Sequence, residues 1–420
     1  MHARKLPVGR GTCRAENERN QRERLFAAVA ATVAEKGYKA TTVADLVALS
    51  GVSRSSFYAQ FDDKGDCFRD ALEELLTPAR EGAGTSAEPG AARAALQALI
   101  EAVVTQPAAA RMCLVEAPGA GAEATAQLER TGKEMAPLAA SPGAAASGRE
   151  PDPQLGAALL GGVLRTIHRR LYRAQEDDLR RLEPQLWEWL GRYPPPPGPL
   201  QGRRRQEPGA LSLQQRLAVA KPTERLLQAL AVEAAAKGYS QVTVDDIVRR
   251  AKISKRDFYR YFRNRKDALV AALDHSSAAL VAAAMPAYRR TPEWPQAVRA
   301  ALVAILATSA AEPEFAQLRA VEAYAGGRRA LAQLEPLREA IEEILEPGYR
   351  LAPQTPAVAG EAVAGALDTL LWCRLRRRRA ATLPELAPLA TYIALAPFLG
   401  ADEAYAVAVG SAAAGTIVIS

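Results

Sequence analysis

The chain has 420 residues, room for two to four domains at ~150 residues each. Its 49% apolar and 24% charged content is ordinary globular usage and excludes a disordered chain. Fifty-four Lys+Arg against 47 Asp+Glu leave a net charge of +7, which permits a nucleic-acid partner without demanding one.

Residues 1–20 read as a basic arm without the apolar core of a secretory signal. A first helix follows, with Leu25, Phe26, Val29, Ala30 and Val33 at helical spacing and Gly37 as its stop signal after Lys36. From Thr42 to Phe61 the pattern is a short helix capped at Thr42 or just before it, a break at Gly51, a plug at Val52, and a second helix, Arg54–Phe61, capped by Ser53. Two short helices joined by a tight Gly turn make a helix-turn-helix, whose second helix fits the major groove. Phe57 and Phe61 are four apart and belong inside, while Arg54 and Tyr58 share another face. A helical region over 77–190 comes next, and Pro194–Pro197 with Arg203–Arg205 mark a linker at 191–212. At ~3.3 Å per residue that linker spans roughly 70 Å and leaves the second half free to dock in almost any orientation.

The chain then repeats itself. Residues 23–72 laid over 224–273 give twenty identities in fifty, among them Lys36-Gly37-Tyr38 with Lys237-Gly238-Tyr239 and Phe57-Tyr58 with Phe258-Tyr259. Residues 107–129 over 313–335 give eleven in twenty-three, including Val115-Glu116-Ala117 with Val321-Glu322-Ala323. A period near two hundred residues is a duplicated unit, not a solenoid. The second copy places a helix-turn-helix domain at 213–275, a helical domain at 276–403 and an apolar tail at 404–420, after a first copy whose reader is 21–76. Lys252 replaces Gly51, and a non-Gly residue in a left-handed turn costs about 1 kcal/mol, so a slightly reshaped turn is expected. Pro107, Pro153, Pro295, Pro313, Pro356 and Pro384 read as first-turn prolines of further helices. The expected class is all-α, in two tandem units.

Each copy resembles the DNA-binding domain of the tetracycline-repressor (TetR) family. The resemblance is carried by Gly37-Tyr38, Thr42-Val43, Gly51-Val52-Ser53-Arg54-Ser55-Ser56-Phe57-Tyr58, Phe61 and Lys64, and by their counterparts from Gly238 to Lys266. It covers about fifty residues per copy, with weaker support downstream. It implies DNA contacts at Thr42, Ser53, Arg54, Ser55, Tyr58 and Lys64, and at Thr243, Ser254, Lys255, Arg256, Tyr259 and Arg265. It also implies a double-stranded DNA operator, an unidentified small-molecule effector, and dimerisation through terminal helices, here about 153–190 and 356–400, within or between chains. A ligand-responsive transcriptional repressor follows. The alternative is a helical ligand- or protein-binding module in which one or both readers have lost function.

Other features read blandly. The Arg376–Arg379 run reads as a solvated helix end, and Trp187, Trp189 and Trp372 as packing or interface residues. Gly119–Ala124 mimics a dinucleotide loop without a preceding strand, and His168 reads as structural. Cys13, Cys67, Cys113 and Cys373 form no C-x-x-C pair, and His2, His168 and His275 lie far apart. No disulfide, metal, cofactor or catalytic residue is therefore expected, nor an enzyme. The uncharged stretches at 386–401 and 404–420 are too short or too polar to span a membrane, and a cytoplasmic location is expected.

Overall fold

The structure is a computed structural model that describes residues 14–84, 90–144, 152–173, 175, 178–202 and 221–410. It is helical, with no strand among the described residues. Most of the basic arm, residues 203–212 of the expected linker with Arg203–Arg205, the first eight residues of the second reader domain as bounded above, and most of the apolar tail lie outside them.

The two repeats run through the same elements in the same order. A long first helix, Arg14–Lys36 or Pro222–Lys237, precedes the short pair Val43–Ser50 and Arg54–Tyr58, or Val244–Ala251 and Lys255–Tyr261. The first recognition helix is thus five residues, shorter than the Arg54–Phe61 expected; beyond Tyr58 the chain turns so that Phe61 can close the core. That core gathers Leu25, Phe26, Val33, Leu46, Val52, Phe57, Phe61 and Phe68. Removing a ring such as Phe57, fully buried, would cost roughly 3–5 kcal/mol. Lys252 keeps the left-handed turn of Gly51, with φ 54° against 63°, so the turn is strained rather than reshaped.

Long helices Lys64–Gly84 and Arg265–Arg289 lead into the downstream domains. There, Pro107–Arg111 passes into a π-helical turn at Met112–Glu116 and a 3-10 turn at Ala117–Gly119. Pro313–Gln317, Leu318–Glu322 and Ala323–Gly326 repeat that sequence of α, π and 3-10 turns. Pro107, Pro153 and Pro313 open their helices and Pro295 is second in its helix, as expected. Pro356 and Pro384 do not. Pro356 precedes a turn ahead of the helix Ala359–Arg376, and Pro384 lies inside a 3-10 stretch. The helix Ala401–Val409 takes up the start of the expected apolar tail.

The described residues within 1–138 and 167–184 form one compact unit, and those within 139–166 and 185–420 a second. The division does not follow the repeat, because the second unit includes terminal segments of the first copy. Within that unit, the helix that begins at Pro153 crosses Ala359–Arg376 through glycines. A Cβ on Gly161 would lie 2.1 Å from Thr369 Oγ1, and one on Gly365 would lie 2.7 Å from Arg165 Cβ. Gly161 therefore meets the residue four places after Gly365, and Gly365 meets the residue four places after Gly161. A second exchange is also reciprocal. Tyr193 donates its hydroxyl to the carbonyl of Ile393 at 2.9 Å, and Tyr392 donates to that of Pro194.

These bonds correct the expectation of a free linker from residue 191. Tyr193 is buried, Leu200 is buried, and the Gly202 N–H donates to the Glu385 carbonyl at 3.0 Å. The tyrosines supply both apolar surface and a hydroxyl, which lets an irregular Pro-rich segment satisfy its carbonyls while packing. Trp189 is fully buried in the same unit, as the packing reading requires. Two helical stretches, Arg265–Arg289 and Ala380–Leu399, are long and apolar enough to cross a membrane, contrary to the expectation of none. Both bury apolar residues in the protein core: Ala268, Leu269 and Leu273 in one, Leu389, Ile393 and Leu395 in the other.

Candidate nucleic-acid interface

The recognition surface is built from the turn upward. Thr42 accepts the Asp45 N–H and donates to Asp45 Oδ2, which also accepts the Thr42 N–H, a reciprocal cap. Thr243 and Asp246 repeat it. A lysine at the end of the first helix reaches the same carboxylate: Lys36 Nζ to Asp45 at 2.6 Å, and Lys237 Nζ to Asp246 at 2.6 Å. These bonds, those from Lys36 first, hold the Asp45 carboxyl down at about 2, and the Asp246 carboxyl lower still. Arg24 and Arg225 donate to the carbonyls of Ser50 and Ala251, fixing the far end of the same short helix. The repeated Arg24/Arg225, Lys36/Lys237 and Asp45/Asp246 identities therefore set the angle at which each reader is presented. The sequence alone assigns these identities no role.

Ser53 caps the first recognition helix by accepting the Ser56 N–H at 3.0 Å, and Ser254 caps the second by accepting that of Asp257 at 3.0 Å. Phe57 and Phe258 are buried, and each lies edge-on to its neighbouring tyrosine. Tyr58 is 50% exposed and Tyr259 52%, so both hydroxyl-bearing rings stand on the outer face. Arg54, Ser55 and Arg256 are exposed, and among the described residues neither arginine has an ion pair.

Four cations of the readers are engaged within the protein. Lys255 pairs with Asp245 at 2.8 Å, and Arg260 with Asp257 at 3.3 Å. Lys64 donates to the carbonyls of Tyr38 at 3.0 Å, Lys39 at 3.4 Å and Thr41 at 2.7 Å, and lies over the Tyr38 ring. An ammonium has three donors, so in this conformation all of them serve the turn before the reader. Arg265 does the same for Tyr239, Ser240 and Val242.

The repeated Val-Glu-Ala block lies at the base of each reader. The Glu116 carboxylate accepts the Tyr38 N–H at 3.2 Å, and Glu322 accepts the Tyr239 N–H at 2.8 Å. Each glutamate ends a π-helical turn of the downstream domain. Burial raises the Glu116 carboxyl, and the Tyr38 N–H opposes that shift. Burial also pushes the Cys67 and Cys113 thiols up to about 12, which keeps both protonated and inert. No cluster of metal-ligating side chains occurs among the described residues.

Two helix-turn-helix readers with exposed tyrosine and arginine on capped recognition helices define a DNA-binding regulator. The sequence model described as bacterial regulatory proteins, tetR family, matches residues 25–71 and 226–273, the two readers. Each reader is thus similar to the DNA-binding domain of that family, present here in two copies, and the pair supports a DNA-binding transcriptional regulator. No curated protein matches it significantly. Similar solved structures include the fatty acid degradation regulator FadR from Bacillus halodurans, 17% identical over 41% of this chain and 97% of its own, TM-score 0.38. The transcriptional regulator FadR from Bacillus subtilis, solved with stearoyl-CoA, is 14% identical over 42% and 98%, TM-score 0.38. The regulator PfmR from Thermus thermophilus is 22% identical over 43% and 98%, TM-score 0.35.

Proposed function

We propose that the protein is a cytoplasmic, ligand-responsive repressor that holds one operator with both readers of one chain, as a covalent pseudo-dimer. The observation that carries this reading is the reciprocal crossing of Gly161 on Thr369 and Gly365 on Arg165. Contacts of the form i to j with j to i are the mark of a two-fold interface. Here the interface is supplied by terminal helices of both copies in a single chain.

In this reading Ser53, Arg54 and Ser55, with Ser254, Lys255 and Arg256, meet base edges from the starts of the recognition helices. Tyr58 and Tyr259 donate to phosphate, and Thr42 and Thr243 present helix N-termini to it. Lys64 and Arg265 act chiefly by holding the turn that aims the reader. The downstream domains take the effector. Glu116 and Glu322 couple it to the readers, because movement of the π-turn pulls on the backbone beside Gly37 or Gly238. Repression requires only that the operator be occupied.

Solution mass and DNA stoichiometry test the reading together. One chain of 44.9 kDa per duplex, with two protected half-sites, is expected. With about six phosphates contacted, the log–log salt slope lies near −5, from roughly −0.9 per phosphate. A tight dimer of chains joined through the same helices, or a slope near zero, would overturn it.

A further inference from the structure

In the second unit two buried guanidinium groups, Arg338 and Arg319, pair with the carboxylates of Asp368 and Glu335, and a third from a half-buried residue, Arg165, lies near them. Arg338 takes most of the pairing, with Nε 2.8 Å from Asp368 Oδ2 and Nη1 2.8 Å from Glu335 Oε1. Arg319 reaches Asp368 Oδ1 only through Nη1, at 3.5 Å. Its side chain is 4% exposed, and its Nε and Nη2 have no hydrogen-bond partner among the described residues. Those two nitrogens form one edge of the guanidinium fork, the edge that takes a carboxylate with two parallel bonds. Arg165 comes from the first copy and lies over the Tyr324 ring at 4.7 Å. Burial pulls it down to about 10, only partly offset by Asp368.

Three positive charges against two negative ones leave the cluster one positive charge in surplus among the described residues. Such a charge is strongly unfavourable unless something neutralises it. Asp368 also lines a small cavity, about 20 Å³, walled by apolar side chains such as Leu302, Ile305, Leu337, Ile341 and Leu371. That volume holds little more than one water, so any bound tail is short or parts these side chains. Resting on the effector reading above, we propose that this domain binds a small aliphatic monocarboxylate, its carboxylate on the free edge of Arg319 with Arg165 beside it and its hydrocarbon in the cavity. A monoanion is the species that balances the cluster. Cys113 occupies the place of Arg319 in the first copy, so each chain has one such site. Because Arg165 belongs to the first copy, the site is complete only where the terminal helices of the two copies pack together.

The full chain is titrated by calorimetry with butyrate and hexanoate, against hexanol, hexylamine and hexyl phosphate. One carboxylate per chain is expected, with hexanol and hexylamine at least about tenfold weaker, from the lost paired bonds to a charged group. Arg319→Gln should lose that preference. Should it fail to fold, Arg319→Lys keeps the charge and volume but not the fork, and should also bind hexanoate about tenfold more weakly. Equal binding of hexanol and hexanoate, preference for the dianionic phosphate, or unchanged affinity in a folded Arg319→Lys would each overturn the assignment. Retention on operator DNA separates the two readings. Carboxylate binding that leaves DNA retention unchanged refutes the effector reading alone, whereas DNA release by a compound without a carboxylate refutes the monocarboxylate alone.

Discussion

Adding one methyl group at Gly161 should destabilise the protein, against the usual rule for helices. Glycine inside a helix is about 1 kcal/mol worse than alanine, so Gly→Ala there normally stabilises. At Gly161 the new Cβ would lie 2.1 Å from Thr369 Oγ1 and 2.5 Å from both its Cβ and Cγ2, well inside the ~3.5–4.0 Å of ordinary contact. Thr369 cannot easily swing away. It is β-branched, and its hydroxyl donates to the Gly365 carbonyl at 3.0 Å. The helices must part by more than an ångström, and overpacking of this kind costs roughly 1–3 kcal/mol. Gly161→Ala should therefore lose about 1–2 kcal/mol net, a few degrees of melting temperature at ~2–4 °C per kcal/mol. Gly132, also helical, has nothing within 4 Å of its Cβ position, and Gly132→Ala should gain about 1 kcal/mol. Calorimetry of both variants and of Gly161→Ala with Thr369→Ala tests this, since removing Oγ1 and Cγ2 should restore part of the loss. If Gly161→Ala stabilises as much as Gly132→Ala, the glycine crossing does not hold the two copies together.

Four further outcomes follow from the readers. Tyr58→Phe and Tyr259→Phe should each weaken operator binding by about 1.5–3 kcal/mol, the worth of a hydrogen bond to a charged group, while leaving the melting temperature unchanged; gel-shift titration beside thermal melts checks both. Lys252→Gly should stabilise by roughly 0.5 kcal/mol in urea titration, because relief of a left-handed residue at φ 54° exceeds the added freedom of the unfolded chain. The depressed Asp45 carboxyl stabilises the fold above its unfolded value near 3.9, and that contribution is lost as pH falls from about 4 to about 2; in melts across this window, wild type should converge on Asp45→Asn at the acid end. Footprinting should show a non-palindromic operator, with Arg256→Ala relaxing base preference in one half-site only, since arginine selects guanine edges that serine does not select in the same way.

The readers were legible because their signals are local. Gly37, Gly51, Thr42, Ser53 and the Phe57–Phe61 spacing each specify a backbone event within a few residues, and the second copy repeats all of them but Gly51, where Lys252 stands. What sequence could not reach are partners made by folding. Lys64 looks like a surface cation until the turn from Tyr38 to Thr41 wraps its ammonium. The sequence places three cations, Lys255, Arg256 and Arg260, on the second recognition helix, but Asp245 and Asp257 hold two of them. The linker looked free because proline predicts an extended chain, and nothing local says that Tyr193 finds the carbonyl of Ile393. Arg319 was invisible for a related reason. Arginine is almost never fully buried unless paired, so pattern alone places it outside.

The duplication also separates what holds the fold from what reads DNA. Many positions that stayed identical bond inward: Lys36 and Lys237 on their aspartates, Glu116 and Glu322 on the tyrosine N–H groups, Phe57 and Phe258 in their cores; Tyr58 and Tyr259 are identical too, but exposed. The positions that diverged are those pointing outward: Arg54-Ser55-Ser56 against Lys255-Arg256-Asp257. Two identical chains must read a palindrome, because operator symmetry mirrors protein symmetry, and any change to one reader changes both. One chain with two copies is free of that constraint. With Lys255 and Arg260 held by neighbouring carboxylates, each reader offers one unpaired arginine, Arg54 at the first helical position and Arg256 at the second. Surface ion pairs are worth only about 0–1 kcal/mol, so phosphate can compete for Lys255 and Arg260 when DNA arrives. On the proposed reading, the two half-sites differ more in which base is read than in how much charge meets them, and the divergence of Cys113 and Arg319 gives the proposed effector side the same one-sided character.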